Sequence, residues 1–208
     1  MTSGFGVDKD SLETTIYDVI LGESDIKNAI IQDVVENVDI IPANTDLAGA
    51  EIELVSMEER EFLLKTVTDQ IRRKYDYIII DCPPTLNVLT INAMTAATSV
   101  LVPIQCEYYA LEGLSQLVQT IELVKERLNN KIKIEGIVFT MYDARTNLSM
   151  QVVENVKSNL HYKIYNTIIP RNVRLAEAPS FGLPITEYDS KSAGAESYRK
   201  LANEIMGS

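Results

Sequence analysis

Short runs of β-branched and other apolar residues alternate along the 208-residue chain with longer stretches in which apolar positions recur every three or four. The runs at residues 38–42, 77–81, 99–103, 134–139 and 164–169 predict strands. Within them the apolar residues are consecutive rather than alternating, the pattern of strands buried on both faces in helix-covered parallel sheets. Between them, Leu63, Val67 and Ile71 step by four behind Ser56-Met57-Glu58-Glu59, which has the form of a capping box and predicts a helix start there. Longer helices are predicted by Leu111, Leu114, Val118, Ile121, Val124 and Leu128, by Val152, Val153, Val156 and Leu160, and by Ala195, Tyr198, Leu201, Ala202 and Ile205. The alternating order predicts a doubly wound α/β fold, a mainly parallel sheet flanked by helices on both faces.

Composition narrows the class without changing that picture. With 46% hydrophobic residues, nine glycines and seven prolines, the chain is neither collagen-like nor disordered. Its length suits one domain over residues 1–208. Two cysteines and no basic-then-apolar leader predict a reducing, cytoplasmic setting. The longest apolar run, around residues 78–80, falls far short of the ~20 residues a membrane-spanning helix needs. A net charge of −11 argues on average against polyanionic partners. The charge is uneven, however: between residues 145 and 174, Arg145, Lys157, Lys163, Arg171 and Arg174 face a single acid, Glu154. Such a stretch has the composition of a phosphate-binding face, or of a merely solvated basic one.

Ligands of doubly wound sheets bind beyond the carboxyl ends of the strands, so the residues after each strand are the candidates. They are Asp81-Cys82-Pro83-Pro84, Gln105-Cys106-Glu107-Tyr108-Tyr109, Thr140-Met141-Tyr142-Asp143-Ala144-Arg145 and Pro170-Arg171-Asn172-Val173-Arg174, expected to share one sheet edge. Asp81 ends an apolar run and precedes a rigid Pro-Pro turn. In phosphate-handling sheets such a carboxylate orients a water on Mg²⁺, because a hard cation takes oxygen ligands. The alternative is an Asp that caps the next helix. His161, the only histidine, has no second His or nearby Cys and reads as a surface or capping residue.

Asp81-Cys82-Pro83-Pro84, Glu107-Tyr108-Tyr109-Ala110-Leu111-Glu112-Gly113, Tyr142-Asp143-Ala144-Arg145-Thr146-Asn147-Leu148 and the run from Ile169-Pro170-Arg171-Asn172 to Ala178-Pro179-Ser180 together resemble ParA/Soj-type chromosome and plasmid partition ATPases. The resemblance extends from Thr2 to Met206. It implies a P-loop NTPase-like fold with ATP or ADP and Mg²⁺ as cofactors. By the same resemblance Asp81 is the catalytic residue and holds Mg²⁺ through water, while Cys82 to Leu86 sense the γ-phosphate, with Pro83 at the nucleotide. Thr140 and Met141 lie on one side of the adenine and Pro170, Arg171 and Asn172 on the other, and Arg145 and Arg174 contact DNA without reading its sequence. It also implies an ATP-dependent homodimer, a ParB-like partner that stimulates hydrolysis, and a cytoplasmic, nucleoid-associated protein that does not bind membranes.

The departures matter equally. Family members carry a Lys-Gly-Gly-Val-Gly-Lys-Thr loop and an Asp-Pro-Gln-Gly-Asn motif, whereas these 208 residues contain no Gly-x-x-x-x-Gly-Lys-[Ser/Thr]. The expectation is an N-terminally truncated domain without its first strand and phosphate loop, unable as given to hydrolyse ATP. Two rival resemblances are weaker. Nitrogenase-type iron proteins hold a cluster through cysteines, but the glycines around theirs are missing near Cys82 and Cys106, and Pro83-Pro84 do not fit. MinD-like relatives end in a basic amphipathic helix, while the segment from Ala195 to Met206 is balanced in charge.

Overall fold

The computed structural model describes residues 1–108 and 110–207; Tyr109 of the Glu107-Tyr108-Tyr109 run and the side chain of Leu111 lie outside the described residues. Three strands form a parallel sheet, β3 (Ser99–Gln105), β4 (Lys133–Tyr142) and β5 (Ile164–Pro170), in that order. Before them in the chain come α1 (Ile16–Ile20), an antiparallel hairpin of β1 (Ile31–Val35) and β2 (Val38–Ile40), α2 (Leu47–Leu54), α3 (Leu63–Thr68) and α4 (Val88–Ala96). The connections among the parallel strands are α5 (Ala110–Arg127) and α6 (Asn147–Asn159), and α7 (Val173–Glu177), α8 (Ile185–Tyr188) and α9 (Ala193–Met206) follow β5.

The middle strand β4 is buried on both faces, as its continuous apolar run requires, whereas β3 buries only one: Val102 and Ile104 are buried, and Leu101 on the opposite face is 39% exposed. Val102, Ile104, Ile137 and Phe139 pack against Leu114 of α5 and Val152, Val153 and Val156 of α6. Their neighbours point the other way: Val138, Tyr165 and Ile169 meet Leu201 and Ile205 of α9 and Leu175 of α7. The apolar stripe of α9 is therefore spent on the sheet. Its Glu204 also takes the otherwise unpaired backbone N–H groups of Asn166 and Thr167 at 2.8 and 3.1 Å, which closes the outer edge of β5. Helix α4 bridges two cores, with Ala93 turned to Ile20, Ala50, Leu54 and Leu64 and Met94 to Ile121, Val124 and Ile132. Asn129 fastens its end, donating to the carbonyls of Met94, Thr95 and Ala97 at 2.9, 3.1 and 2.8 Å.

Three expectations are corrected. Residues 38–40 form a strand, but it pairs with β1 in a hairpin and not in the parallel sheet; Asn37, at φ 61°, makes the tight turn. Residues 77–81 run without ladder hydrogen bonds, and Tyr77 and Ile79 are 62% and 79% exposed. Backbone bonds make a strand only when a second strand lies alongside, and among the described residues none does. Ile80 alone of this run packs inward, on the α1–α4 core. Finally, the capping box at Ser56 does not open a helix. The Ser56 hydroxyl donates to the Glu53 carbonyl at 3.0 Å, Glu59 turns left-handed at φ 51°, and the helix begins at Leu63. There the buried Asn92 accepts the Leu64 N–H at 3.1 Å and donates to the carbonyls of Arg60 and Val88. A tertiary partner thus does the work a local cap was expected to do.

Candidate functional site

The carboxyl ends of β3, β4 and β5 are laced together. Cys106 N–H donates to the Thr140 carbonyl at 3.2 Å, and the Thr140 hydroxyl donates to the Ile104 carbonyl at 3.2 Å. Across the other edge of β4, Arg171 N–H donates to the Tyr142 carbonyl at 2.9 Å. The loops after three strands therefore converge, as the topology predicts. Between Phe139 and Tyr142 the pairing register slips against Ile168 and Pro170, a bulge. Met141 sits in it at φ 53°, left-handed backbone that costs a residue with a Cβ about 1–3 kcal/mol. The bulge leaves Met141 43% exposed at the sheet edge rather than packed in the core.

Arg145 stands in the loop between β4 and α6. Its Nε and Nη2 donate to the two carboxylate oxygens of Asp143 at 2.9 and 2.7 Å. These bonds, with the Arg145 backbone N–H at 3.0 Å, hold the Asp143 carboxyl well below the usual carboxylate range. The charge of Arg171 lowers it further. Arg174 lies in α7, whose start is capped by Asn172, its Oδ1 accepting the Arg174 N–H at 2.9 Å. The Arg174 guanidinium is 2.9 Å from Glu177 and 3.4 Å from Asp189. Arg145, Arg171 and Arg174 are thus delivered to one edge by two neighbouring strands, and the side chain of Asn172 is occupied in holding the third of them.

Asp81 reaches this edge by a different route. Its carboxylate is 59% exposed and lies 3.2 Å from the Met1 ammonium. The turn that follows, Thr2–Phe5, packs on the 3₁₀ turn Ala178–Phe181 just beyond α7, where Gly6 and Gly182 touch. Asp81 caps no helix: α4 begins seven residues later, at Val88, and its cap is Asn87, whose Oδ1 accepts the Thr90 N–H at 3.0 Å. Pro83 and Pro84 are exposed beside it. An exposed carboxylate is an oxygen donor of the class Mg²⁺ takes, the ion completing its shell with water and phosphate. Among the described residues no three His, Cys, Asp or Glu side chains cluster as a metal cage, and Cys82 and Cys106 are free thiols. No helix among them is long and apolar enough to cross a membrane.

The sequence reading missed the acids. Asp143, Glu177 and Asp189 had no assigned role, although the spacing Asp143-Ala144-Arg145 and the i,i+3 spacing of Arg174 and Glu177 were both available as signals.

Comparison with known proteins gives the chain its relatives. The family model described as AAA domain matches residues 1–134. The sporulation initiation inhibitor protein Soj of Bacillus subtilis is 55% identical over 204 residues, which cover 98% of this chain and 81% of that protein. The chromosome partitioning protein ParA of Myxococcus xanthus is 50% identical over 204 residues, 98% of this chain and 72% of that one. Among solved structures, the cobyrinic acid a,c-diamide synthase of Mycobacterium smegmatis with bound ATP analog and magnesium superposes with a TM-score of 0.83 at 36% identity. That match covers 97% of this chain and 75% of that one. The α/β fold, the order of the strand-end motifs and identities of half or more over nearly the whole chain together establish that it belongs to the ParA/Soj family of chromosome-partitioning ATPases.

Proposed function

We propose that residues 1–208 form a single ParA-type domain that binds DNA without sequence preference through Arg145 and Arg174. The observation that carries this reading is the convergence of Arg145, Arg171 and Arg174 at one sheet edge, tied by the hydrogen bond from Arg171 to Tyr142. Guanidinium groups so placed contact phosphates, which position a protein on a duplex but carry no base identity. Beside them, the exposed Met141 and the ring of Pro170 offer apolar faces to an adenine, with Thr140 next to Met141 on one side and Arg171 and Asn172 next to Pro170 on the other. Asp81, next to Pro83, would hold Mg²⁺ through a water, and the ion when bound neutralises charge developing on the phosphates. Family membership supports an ATP-state homodimer, a ParB-like partner that stimulates turnover, and a cytoplasmic, nucleoid-associated protein.

The test is the salt dependence of binding to unrelated duplexes, made with MgATP on the chain joined to a relative's phosphate-loop segment so that the dimer can form. Arg174→Ala weakens binding to every duplex alike and flattens the plot of log K against log salt by about one unit per site. Lys9→Ala, outside the basic stretch, changes neither. Unaltered affinity and slope in both Arg145→Ala and Arg174→Ala would sink the reading. A second reading, a DNA-binding and dimerisation module without turnover, needs only the arginine edge and gives Asp81 no role. Magnesium-dependent ATP hydrolysis that is lost in Asp81→Ala excludes it.

A further inference from the structure

Both arginines on which the DNA reading rests are engaged by carboxylates of their own chain. Arg145 makes a bidentate pair with Asp143 through Nε and Nη2 at 2.9 and 2.7 Å. The two ends of that pair are unequal, since the Asp143 side chain is 19% exposed and the Arg145 side chain 87%. Asp143 is also anchored through its backbone: its N–H donates to the Ser149 hydroxyl at 3.3 Å and its carbonyl accepts the Thr146 hydroxyl at 3.0 Å. A carboxylate fixed in the loop therefore holds a guanidinium on a flexible stem. The arrangement is repeated at Arg174, where Nη1 meets Glu177 at 2.9 Å, Nε meets Asp189 at 3.4 Å, and the Tyr188 hydroxyl steadies Glu177 at 3.2 Å.

The Nε and Nη2 edge is the side-on fork with which arginine grips phosphate. At Arg145 that edge is taken. An incoming phosphate either displaces the Asp143 carboxylate or approaches the remaining edge with a fixed negative charge close behind it. In both cases the acid opposes the contact.

We propose that Asp143 at Arg145, and Glu177 with Asp189 at Arg174, are resident competitors for DNA phosphate that lower the affinity of this face for duplex. The inference rests on the DNA reading above and adds the residues that limit its strength. It explains how a face with three converging arginines can remain reversible on a polyanion. Binding must exchange one ion pair for another, so its net gain is the difference between the two.

The experiment joins the 208 residues to the phosphate-loop segment of a ParA relative, so that the ATP-state dimer can form, and measures binding with MgATP to a short fluorescent duplex at low salt, where phosphate contacts are strongest. Asp143→Asn keeps an oxygen for the Arg145 N–H and removes only the charge. It is expected to bind about two- to fivefold tighter, the worth of one exposed ion pair expressed as a ratio. The gain must vanish when Arg145→Ala is added, because the acid acts through that guanidinium. Glu154→Gln makes the same charge change on the exposed side of α6 and is expected to leave binding unaltered. If circular dichroism shows that Asp143→Asn has not folded, Glu177→Gln asks the same question at Arg174, with Arg174→Ala as its partner. Unchanged or weaker binding by the folded Asn or Gln variant overturns the proposal. So does a gain that survives loss of the arginine or is matched by Glu154→Gln. If Arg145→Ala and Arg174→Ala both bind like the parent chain, the DNA reading itself falls and takes this inference with it.

Discussion

Gly6 and Gly182 meet backbone to backbone: a Cβ on Gly182 would lie 2.6 Å from the Cα of Gly6, and one on Gly6 would lie 3.1 Å from the Gly182 carbonyl oxygen. Both have positive φ, 72° and 66°. The contact seats the first turn of the chain on the segment that follows α7, the same turn that brings Met1 to Asp81. Gly182→Ala adds a backbone clash to an unfavourable φ and is expected to cost about 2–4 kcal/mol. Gly22 supplies the control. It has φ 80° but nothing within 4 Å of a Cβ, so Gly22→Ala should cost only about 1 kcal/mol. Urea denaturation separates the two, and equal losses would show that the close approach carries no weight.

Tyr165 is 1% exposed, its ring lies against Gly136 of β4, and its hydroxyl is buried with no hydrogen-bond partner among the described residues. A Cβ on Gly136 would come within 2.5 Å of that ring, so Gly136→Ala is expected to destabilise by about 1–3 kcal/mol. Tyr165→Phe removes a buried hydroxyl that gains nothing, and stability should hold or rise by up to about 1 kcal/mol. A clear loss in Tyr165→Phe would show that the hydroxyl has a partner after all.

The Tyr75 hydroxyl donates to Asp39 at 2.6 Å, and Asp39 also accepts the Asp33 N–H at 3.0 Å. The bond to Asp39, more than burial, pushes the Tyr75 phenol up to about 12, and the same bond lowers the Asp39 carboxyl. For the raised phenol, the stabilisation is complete below its ordinary value of about 10 and is lost as pH rises toward 12. For the lowered carboxyl it is present above about 3.9 and fades as pH falls through the folded value. The pair therefore supports the fold across the neutral range. In Asp39→Asn one ultraviolet phenol titration should move down toward ~10, and in Tyr75→Phe the Asp39 carboxyl should rise toward ~3.9. Unshifted titration curves would contradict the pairing.

Each charge-assisted contact to a triphosphate contributes about 1.5–3 kcal/mol, and several act together in a phosphate-cradling loop. The 208-residue chain contains no such loop motif. It is expected to bind ATP orders of magnitude more weakly than a chain that carries one, and to release no phosphate from it. Calorimetric titration with MgATP and a phosphate-release assay check both statements. Turnover that depends on Asp81 would be the contrary result.

Much of this molecule is legible in order along the chain. Val152, Val153 and Val156 sit on one face of α6 because the helical period is local, and Ile137, Val138 and Phe139 alternate between two buried faces because the strand period is local too. The residues that follow β4 and β5 come from topology, so Met141, Arg145, Pro170 and Arg174 could be named as candidates before any coordinates, whereas Asp81 ends a predicted strand that does not form. What tertiary structure decided is everything that needs a partner supplied from elsewhere. Residues 77–81 have the composition of a strand but no ladder, because hydrogen bonds across a sheet belong to pairs of segments. The helix expected at Ser56 starts at Leu63, because Asn92, distant in sequence, accepts the Leu64 N–H. The basic stretch reads from sequence as free positive charge. Only the fold reveals that Arg174 is shared between Glu177 and Asp189, since Asp189 arrives from beyond α8 and no local period encodes the meeting.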